Sequence, residues 1–262
     1  MPAEEHLQYT DNVYRTPSKK VSWFARTFPT QAFYRKFFGT VWRASAKAKR
    51  GKYGYAEWSD SSHEVLWALE SVGVQAEFRG LENVRNLESP CVFVANHMSM
   101  LETTVLPAVI QPIRNVTFIV KQSLLDYPVF CHVMRSRDPI AVTRDNPRED
   151  FKAVMEGGVE RLENGISIIV FPQTTRSDIF DPDQFNTIGV KLAAKAKVPV
   201  IPVALVTDAW RNGKWVKDLG PIDPQRKVHF HFGEPIHIQG RGSEEHQKIV
   251  DFITTKLNEW RQ

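Results

Sequence analysis

His97 and Glu102 stand five positions apart in "NHMSMLE", directly after the apolar run "CVFVA". A neutral imidazole removes a hydroxyl proton near neutral pH, and a carboxylate beside it orients the ring and stabilises the imidazolium that forms. If a helix begins near Met100, an acid in its first turn lies beside a loop residue just ahead of it. The same residues have a structural reading: an acid in a first helical turn is favoured by the helix macrodipole, and an isolated histidine usually serves packing. A second polar cluster, "PQTTRSD", follows the apolar run "ISIIVF". There Arg176, with Thr174, Thr175 and Ser177, offers a guanidinium fork, hydroxyls and backbone N–H groups, the parts that hold an anion and most naturally a phosphate. The bland alternative pairs Arg176 with Asp178 or Asp181.

Other chemistries lack their anchors. His97 and Glu102 make at most two metal ligands, and the zinc-protease helix motif is absent. His229 and His231 alternate with Val228, Phe230 and Phe232, so they read as the outer face of a strand. Neither a G-x-S-x-G elbow nor a phosphate-binding glycine loop occurs. No metal and no resident cofactor are expected.

The elements that would position these clusters follow from periodicity. "VQAEFRG", "PCVFVA", "VTFIVK", "PIAVT", "ISIIVFP", "VPVIPVALV" and "VHFHF" read as strands. Between them lie helical patterns: "SSHEVLWALESVG", with Ser61 and Glu64 in capping-box spacing, then "TTVLPAVI" and "SLLDYPVFCHVM" despite its Pro128. The helix after Asn146 is the best signposted, with Asn146 as cap, Pro147 at the first position, Glu149 as reciprocal partner and Gly165 after the end. "IGVKLAAKAK", a hairpin around Asn212 and Gly213, and a last helix "EEHQKIVDFITTKLNEW" complete the pattern. Alternating strands and helices predict an α/β fold whose largely parallel central sheet is covered by helices on both faces. In such sheets, loops at the carboxyl ends of strands converge on one edge, so the His97 and Arg176 clusters should be neighbours.

With 42% hydrophobic and 24% charged residues, the 262-residue chain has an ordinary globular composition. Its apolar runs are too short to span a bilayer, and the polar start lacks the apolar core of a signal peptide. Cys91 and Cys131 read as small apolar fillers in a reducing, cytoplasmic setting. The net charge of +4 conceals an asymmetry: residues 12 to 54 hold 11 Lys or Arg and no acid, leaving 23 basic and 30 acidic residues, a net of −7, elsewhere. We therefore expect a basic N-terminal extension, residues 1–54, ahead of a domain over residues 55–262. Within the extension, "QAFYRKFFGTVWRASAKAKR" places Phe33, Tyr34, Phe37, Phe38, Val41 and Trp42 on one half of a helix, opposite Arg35, Lys36, Arg43 and Arg50. Two readings fit: a helix lying in an anionic membrane surface, or one packed on the domain with a solvated basic face. No strand-borne aromatic platform accompanies it, so nucleic acid is not the expected partner.

Taken together, these residues resemble the glycerolipid acyltransferase family, whose best-known members are the 1-acylglycerol-3-phosphate acyltransferases. "NHMSMLE" resembles the family's Asn-His-x4-Asp block, and "KQSLLDYPVFCHVMRSRDPIAVTR" its second, with Lys121, Pro128 and Arg144 in place. "FPQTTRS" resembles Phe-Pro-Glu-Gly-Thr-Arg-Ser, and "VPVIPVAL" the apolar fourth; together they cover roughly residues 80 to 206. The resemblance implies that His97 deprotonates a lysolipid hydroxyl, with Glu102 as the supporting acid, for attack on the thioester of acyl-CoA or acyl-carrier protein. It further implies that Arg144 and Arg176 hold the acceptor phosphate, with Lys121, Thr175 and Gln173 beside them. It also favours membrane contact for the basic helix, hence a cytoplasmic protein peripherally bound to the inner face of a membrane.

Three positions depart from the family pattern. Glu102 replaces Asp, adding a methylene. Gln173 replaces Glu, so a carboxylate that would neutralise Arg176 becomes an amide, and Thr174 replaces Gly. On this basis Arg176 is expected to be less neutralised and freer for the phosphate of lysophosphatidic acid. The rival readings are an acyltransferase for another lysolipid or a lipid amine or alcohol, and a non-catalytic lipid-binding relative.

Overall fold

The computed structural model describes residues 6–173 and 175–261. The chain opens with β1 (Tyr9–Thr10) and β2 (Val13–Arg15), followed by helices α1 (Trp23–Thr27), α2 (Pro29–Lys49) and α3 (Tyr55–Glu70). Then come β3 (Ala76–Arg79), the single turn α4 (Glu82–Arg85), β4 (Val92–Ala95), α5 (Met100–Ile110) and β5 (Val116–Lys121). After α6 (Phe130–Arg135) follow β6 (Ile140–Val142), α7 (Pro147–Glu163), β7 (Ser167–Val170), α8 (Ile188–Ala196), β8 (Val200–Val206), β9 (Val228–Phe232) and α9 (Ser243–Arg261).

The strands form one sheet in the order β1-β2-β3-β9-β8-β4-β7-β5-β6. From β8 through β4, β7 and β5 to β6 every pairing is parallel, and β3 also pairs β9 in parallel. The pairings β8–β9, β2–β3 and β1–β2 are antiparallel. β4, β7 and β8 are buried almost throughout, as strands covered on both faces must be. One apolar core lies under α2, α3 and α5, the other under α7, α8 and α9. On the first face Leu101, Val105, Leu106 and Ile110 of α5 are fully buried, each contributing roughly 1.5–3 kcal/mol relative to exposure.

Two local expectations are corrected. α3 starts at Tyr55, not near Ser61, because the Glu57 carboxylate accepts the Gly54 N–H at 2.8 Å and caps the helix two turns earlier. The segment after β5 is not one helix: a 3-10 turn over Gln122–Asp126 and α6 are separated at Pro128, where Val129 has φ 71°. The residue before a proline is steered away from helix, and Tyr127 is extended. Ahead of the helices, β1 and β2 extend the sheet at its edge beside β3.

The expected division after residue 54 does not coincide with a packing boundary. Tyr14 of β2 donates to the buried Glu70 carboxylate, and the Thr16 hydroxyl does so at 2.9 Å. The apolar stripe of α2 divides. Phe33, Phe37 and Val41 are buried in the main core, with the rings of Phe33 and Phe37 centred 4.7 and 5.1 Å from Trp210. Phe38 and Trp42 remain exposed, as do Trp23, Phe24 and Phe28 just upstream. Half of the stripe is core, and half is surface.

Candidate active site

β4 and β7 are parallel neighbours, with Val94 opposite Val170, so the segments leaving their carboxyl ends start side by side. The His97 ring consequently stacks on Phe171, centroids 4.3 Å apart and planes 19° from parallel. The two clusters are also joined through the backbone: Ser177 N–H donates to His97 O at 2.9 Å, and His97 N–H donates to Gln173 Oε1 at 2.7 Å. Asn96 fixes the other flank by exchanging two 2.9 Å hydrogen bonds with the Leu205 backbone on β8.

Glu102 serves both roles its position allowed. It is the third residue of α5, accepts the Ser99 N–H at 2.8 Å as the reciprocal half of a capping box, and also lies 2.8 Å from His97 Nδ1. Its Oε1 additionally accepts the Met98 N–H at 2.7 Å, while its Oε2 accepts the Thr207 hydroxyl at 2.6 Å. Burial pushes this carboxyl up. The His97 bond and charge, the Thr207 hydroxyl and the Ser99 N–H outweigh burial and hold it below the ordinary carboxylate value. An ionised carboxylate thus faces Nδ1, which fixes the neutral ring with its proton on Nδ1 and the Nε2 lone pair available as a base. The His97 side chain is 13% exposed and Glu102 is fully enclosed, as suits a base that meets substrate and an acid that does not.

Arg176 Nη1 pairs with Asp218 at 2.5 Å, and both side chains are largely covered. This corrects the expectation of an un-neutralised guanidinium: the charge removed at Gln173 is supplied by Asp218, a residue distant in sequence. Gln173, buried, serves the His97 backbone instead of Arg176. The alternative pairing of Arg176 with Asp178 or Asp181 does not occur among the described contacts. Thr174 lies outside the described residues. Thr175 is exposed.

Lys121 and Arg144 lie farther along the same edge, at the ends of β5 and β6, two and three strands from β4. Both are exposed. With neighbouring strands about 4.8 Å apart, Arg144 starts roughly 14 Å from the line of β4. The structure therefore brings together His97, Glu102, Gln173 and Arg176, and leaves Lys121 and Arg144 at the rim. Among the described residues no group of three His, Cys, Asp or Glu is placed to hold a metal ion. His229 stacks on Trp260 of α9, centroids 5.0 Å apart, which accounts for its place on the strand.

Thr207 and Asp218 were missed in the sequence. Thr207 carried a signal, since it is the first polar residue after a third apolar strand, the position that Asn96, next to His97, holds after β4. Asp218 carried none, because its role depends on where a loop returns.

Comparison with known proteins places this edge in context. The family model described as Acyltransferase matches residues 75–206, half of the chain, and includes His97, Glu102, Gln173 and Arg176. The chain belongs to the Acyltransferase family. It is 32% identical over 180 residues to a 1-acyl-sn-glycerol-3-phosphate acyltransferase of Pseudomonas aeruginosa, a match covering 68% of this chain and 66% of that protein. It is 31% identical over 143 residues to the chloroplastic 1-acyl-sn-glycerol-3-phosphate acyltransferase BAT2 of Brassica napus, covering 54% and 40%. The matches thus span two thirds or less of these relatives. The crystal structure of the 1-acyl-sn-glycerophosphate acyltransferase PlsC from Thermotoga maritima superposes with a TM-score of 0.65 at 23% identity, covering 88% of this chain and 94% of that one, which establishes the shared α/β fold. The four-block resemblance and the parallel sheet expected from the sequence are both borne out.

Proposed function

We propose that the protein transfers a fatty acyl group from an acyl thioester, acyl-CoA or acyl-carrier protein, to the free hydroxyl of 1-acylglycerol-3-phosphate, forming phosphatidic acid. The observation that carries this reading is the His97–Glu102 pair joined by backbone hydrogen bonds to the Arg176 segment. His97 Nε2 takes the acceptor's hydroxyl proton as its oxygen attacks the thioester carbonyl. The C–S bond then breaks, and the thiolate recovers the proton from the imidazolium. A thiolate leaves readily, so no covalent intermediate on the protein is required.

The guanidinium of Arg176 is the proposed seat of the acceptor phosphate. Asp218 engages Nη1, whereas the Nε–Nη2 edge carries no hydrogen bond among the described residues and retains two parallel donors. Names of the relatives support the glycerol-phosphate acceptor.

Membrane contact belongs to the same reading. Trp23 and Trp42 are 75% and 70% exposed beside Phe24, Phe28 and Phe38, within the segment that carries 11 basic and no acidic residues. Exposed aromatics among cations suit the headgroup region of an anionic bilayer. The proposed association is peripheral, at the inner face of a membrane; no helix among the described residues is long and apolar enough to cross one.

The decisive experiment incubates purified protein with acyl-CoA or acyl-carrier protein and a panel of lysolipids in matched vesicles, with products identified by mass. Phosphatidic acid should dominate. Equal acylation of lysophosphatidylcholine or a neutral lipid alcohol would reject the acceptor assignment, and no acyl transfer to any acceptor would reject the activity.

A further inference from the structure

Between β8 and β9 the chain leaves the sheet, and residues 212–219 project from the site. The neck is closed by Arg211 N–H donating to Pro221 O at 3.1 Å, Asp223 N–H donating to Ala209 O at 2.8 Å, and an antiparallel bridge between Trp210 and Ile222. Two glycines permit that narrowness: a Cβ on Gly220 would lie 1.7 Å from Arg211 O, and one on Gly213 would lie 2.2 Å from Val216 O. Hydrogen bonds from Gly213 N–H to Lys217 O and from Leu219 N–H to Val216 O, 3.1 and 2.9 Å, complete a defined turn.

The flanks of this turn are tied to both halves of the site. Asn212 Nδ2 donates to the carbonyl of Met98, the residue after His97, at 3.0 Å. Asp218 holds Arg176, and Lys217 Nζ reaches Arg176 O at 3.4 Å. Among the described residues, Lys214, Trp215 and Val216 at the tip make no such ties to the site. Trp215 is 98% exposed, the most of any large apolar side chain described; Val216 and Leu219 are exposed as well, and Lys214 and Lys217 flank them.

A single exposed apolar side chain decides nothing by itself. Location decides here. Gly220 O, at the neck, accepts the Tyr34 hydroxyl at 2.7 Å, and the Tyr34 ring stacks on exposed Phe38, centroids 5.6 Å apart. Trp42 lies one turn further along α2. Half-buried Tyr34 therefore links the exposed Phe38 of α2 to the neck of the loop that walls the site.

We infer that residues 212–219 form the lipid-contacting rim of the active site. Trp215 enters the headgroup region of an anionic lipid surface, Lys214 meets its phosphates, and the bonded flanks hold His97 and Arg176 at the level where a lysolipid's hydroxyl and phosphate lie. The inference rests on the reading of the protein as acting at a lipid surface. It adds which segment makes contact at the site and why the acceptor need not leave the lipid to react.

The test uses the full chain and vesicles of phosphatidylglycerol and phosphatidylcholine with brominated acyl chains. The protein has seven tryptophans, so the emission difference between wild type and Trp215→Phe isolates the residue. Bromine should quench that difference signal. Trp215→Ser should lower turnover of vesicle-embedded acceptor, relative to a dispersed short-chain lysophosphatidic acid, at least fivefold. If wild type sediments with vesicles while the difference signal is unquenched and the ratio unchanged, the loop assignment is overturned and the lipid-surface reading stands. If wild type does not sediment with anionic vesicles at all, both fall.

Discussion

Thr207, the first residue past β8, donates its hydroxyl to Glu102 Oε2 over 2.6 Å, so the carboxylate that orients His97 is held from a strand on the opposite side of β4 from Phe171. Ser99 accepts the Leu101 N–H and donates its hydroxyl to Thr207 O at 2.9 Å, and because an ionised carboxylate only accepts, the Thr207 proton points to Glu102. A hydrogen bond to a charged group contributes roughly 1.5–3 kcal/mol. Thr207→Val preserves shape but removes the donor, and we expect kcat to fall about tenfold or more with KM for the acceptor nearly unchanged. Thr207→Ser should restore most of the rate. Steady-state kinetics on the three proteins checks this, and a Val variant as fast as wild type would remove Thr207 from the mechanism.

His97→Ala should reduce kcat/KM for acyl transfer by roughly 10²- to 10⁴-fold, the usual contribution of a general base. Circular dichroism should be unchanged, because the imidazole is partly exposed and only one face packs on Phe171. Glu102→Gln should cost less activity. Its amide oxygen can stay at the Oε1 position, where three N–H groups converge, while its NH2 group faces hydroxyls that can rotate to accept. Near-normal turnover by the alanine variant would end the proposed chemistry.

The sequence was legible where one local rule decided the outcome. Asn146 accepts the Glu149 N–H at the start of α7, and the buried strands β4, β7 and β8 fall where their apolar runs stand. His97 and Glu102 were legible for the same reason, because a loop residue and a first-turn acid are fixed by the helix start between them. Competing local signals misplaced the start of α3, where both Ser61 and Glu57 had capping geometry available and the longer helix buries Trp58. The partition of α2 was not legible, since a helical wheel gives a stripe's width but not which part meets the domain. Asp218 was illegible because ion pairs 42 residues apart depend on tertiary return.

Stability should fall on acidification for a reason remote from the site. His63 on α3 is buried, stacked on His6 and against Trp67, and burial pushes its pKa down to about 4. Its unfolded value lies near 6.5. Between those limits the unfolded chain takes a proton that the folded chain refuses. The neutral-ring contribution is therefore full above about 6.5 and is lost progressively as pH falls towards about 4, on the order of 3 kcal/mol in all. Urea unfolding at pH 7.5 and pH 4.5 should show the loss, and His63→Gln should reduce it. An identical pH dependence in the variant would assign the loss to other groups.

Asp218 beside Arg176 makes opposite predictions for two roles. If the carboxylate only positioned the guanidinium, neutralising it would loosen Arg176 and raise KM for the acceptor. The geometry favours competition instead: Asp218 occupies Nη1, an incoming phosphate needs the neighbouring edge of the same fork, and two anions on one guanidinium repel each other. An amide at position 218 can still accept from Nη1 while removing the negative charge. Asp218→Asn should therefore lower KM for lysophosphatidic acid several-fold, with little change in KM for the acyl donor, and the gain should shrink in high salt as the repulsion is screened. Arg176→Ala should raise the acceptor KM by about tenfold or more and should abolish the benefit of Asp218→Asn in the double variant, because the two substitutions act on one contact. A raised acceptor KM in Asp218→Asn would make Asp218 a positioning residue, and additive effects in the double variant would separate it from phosphate binding altogether.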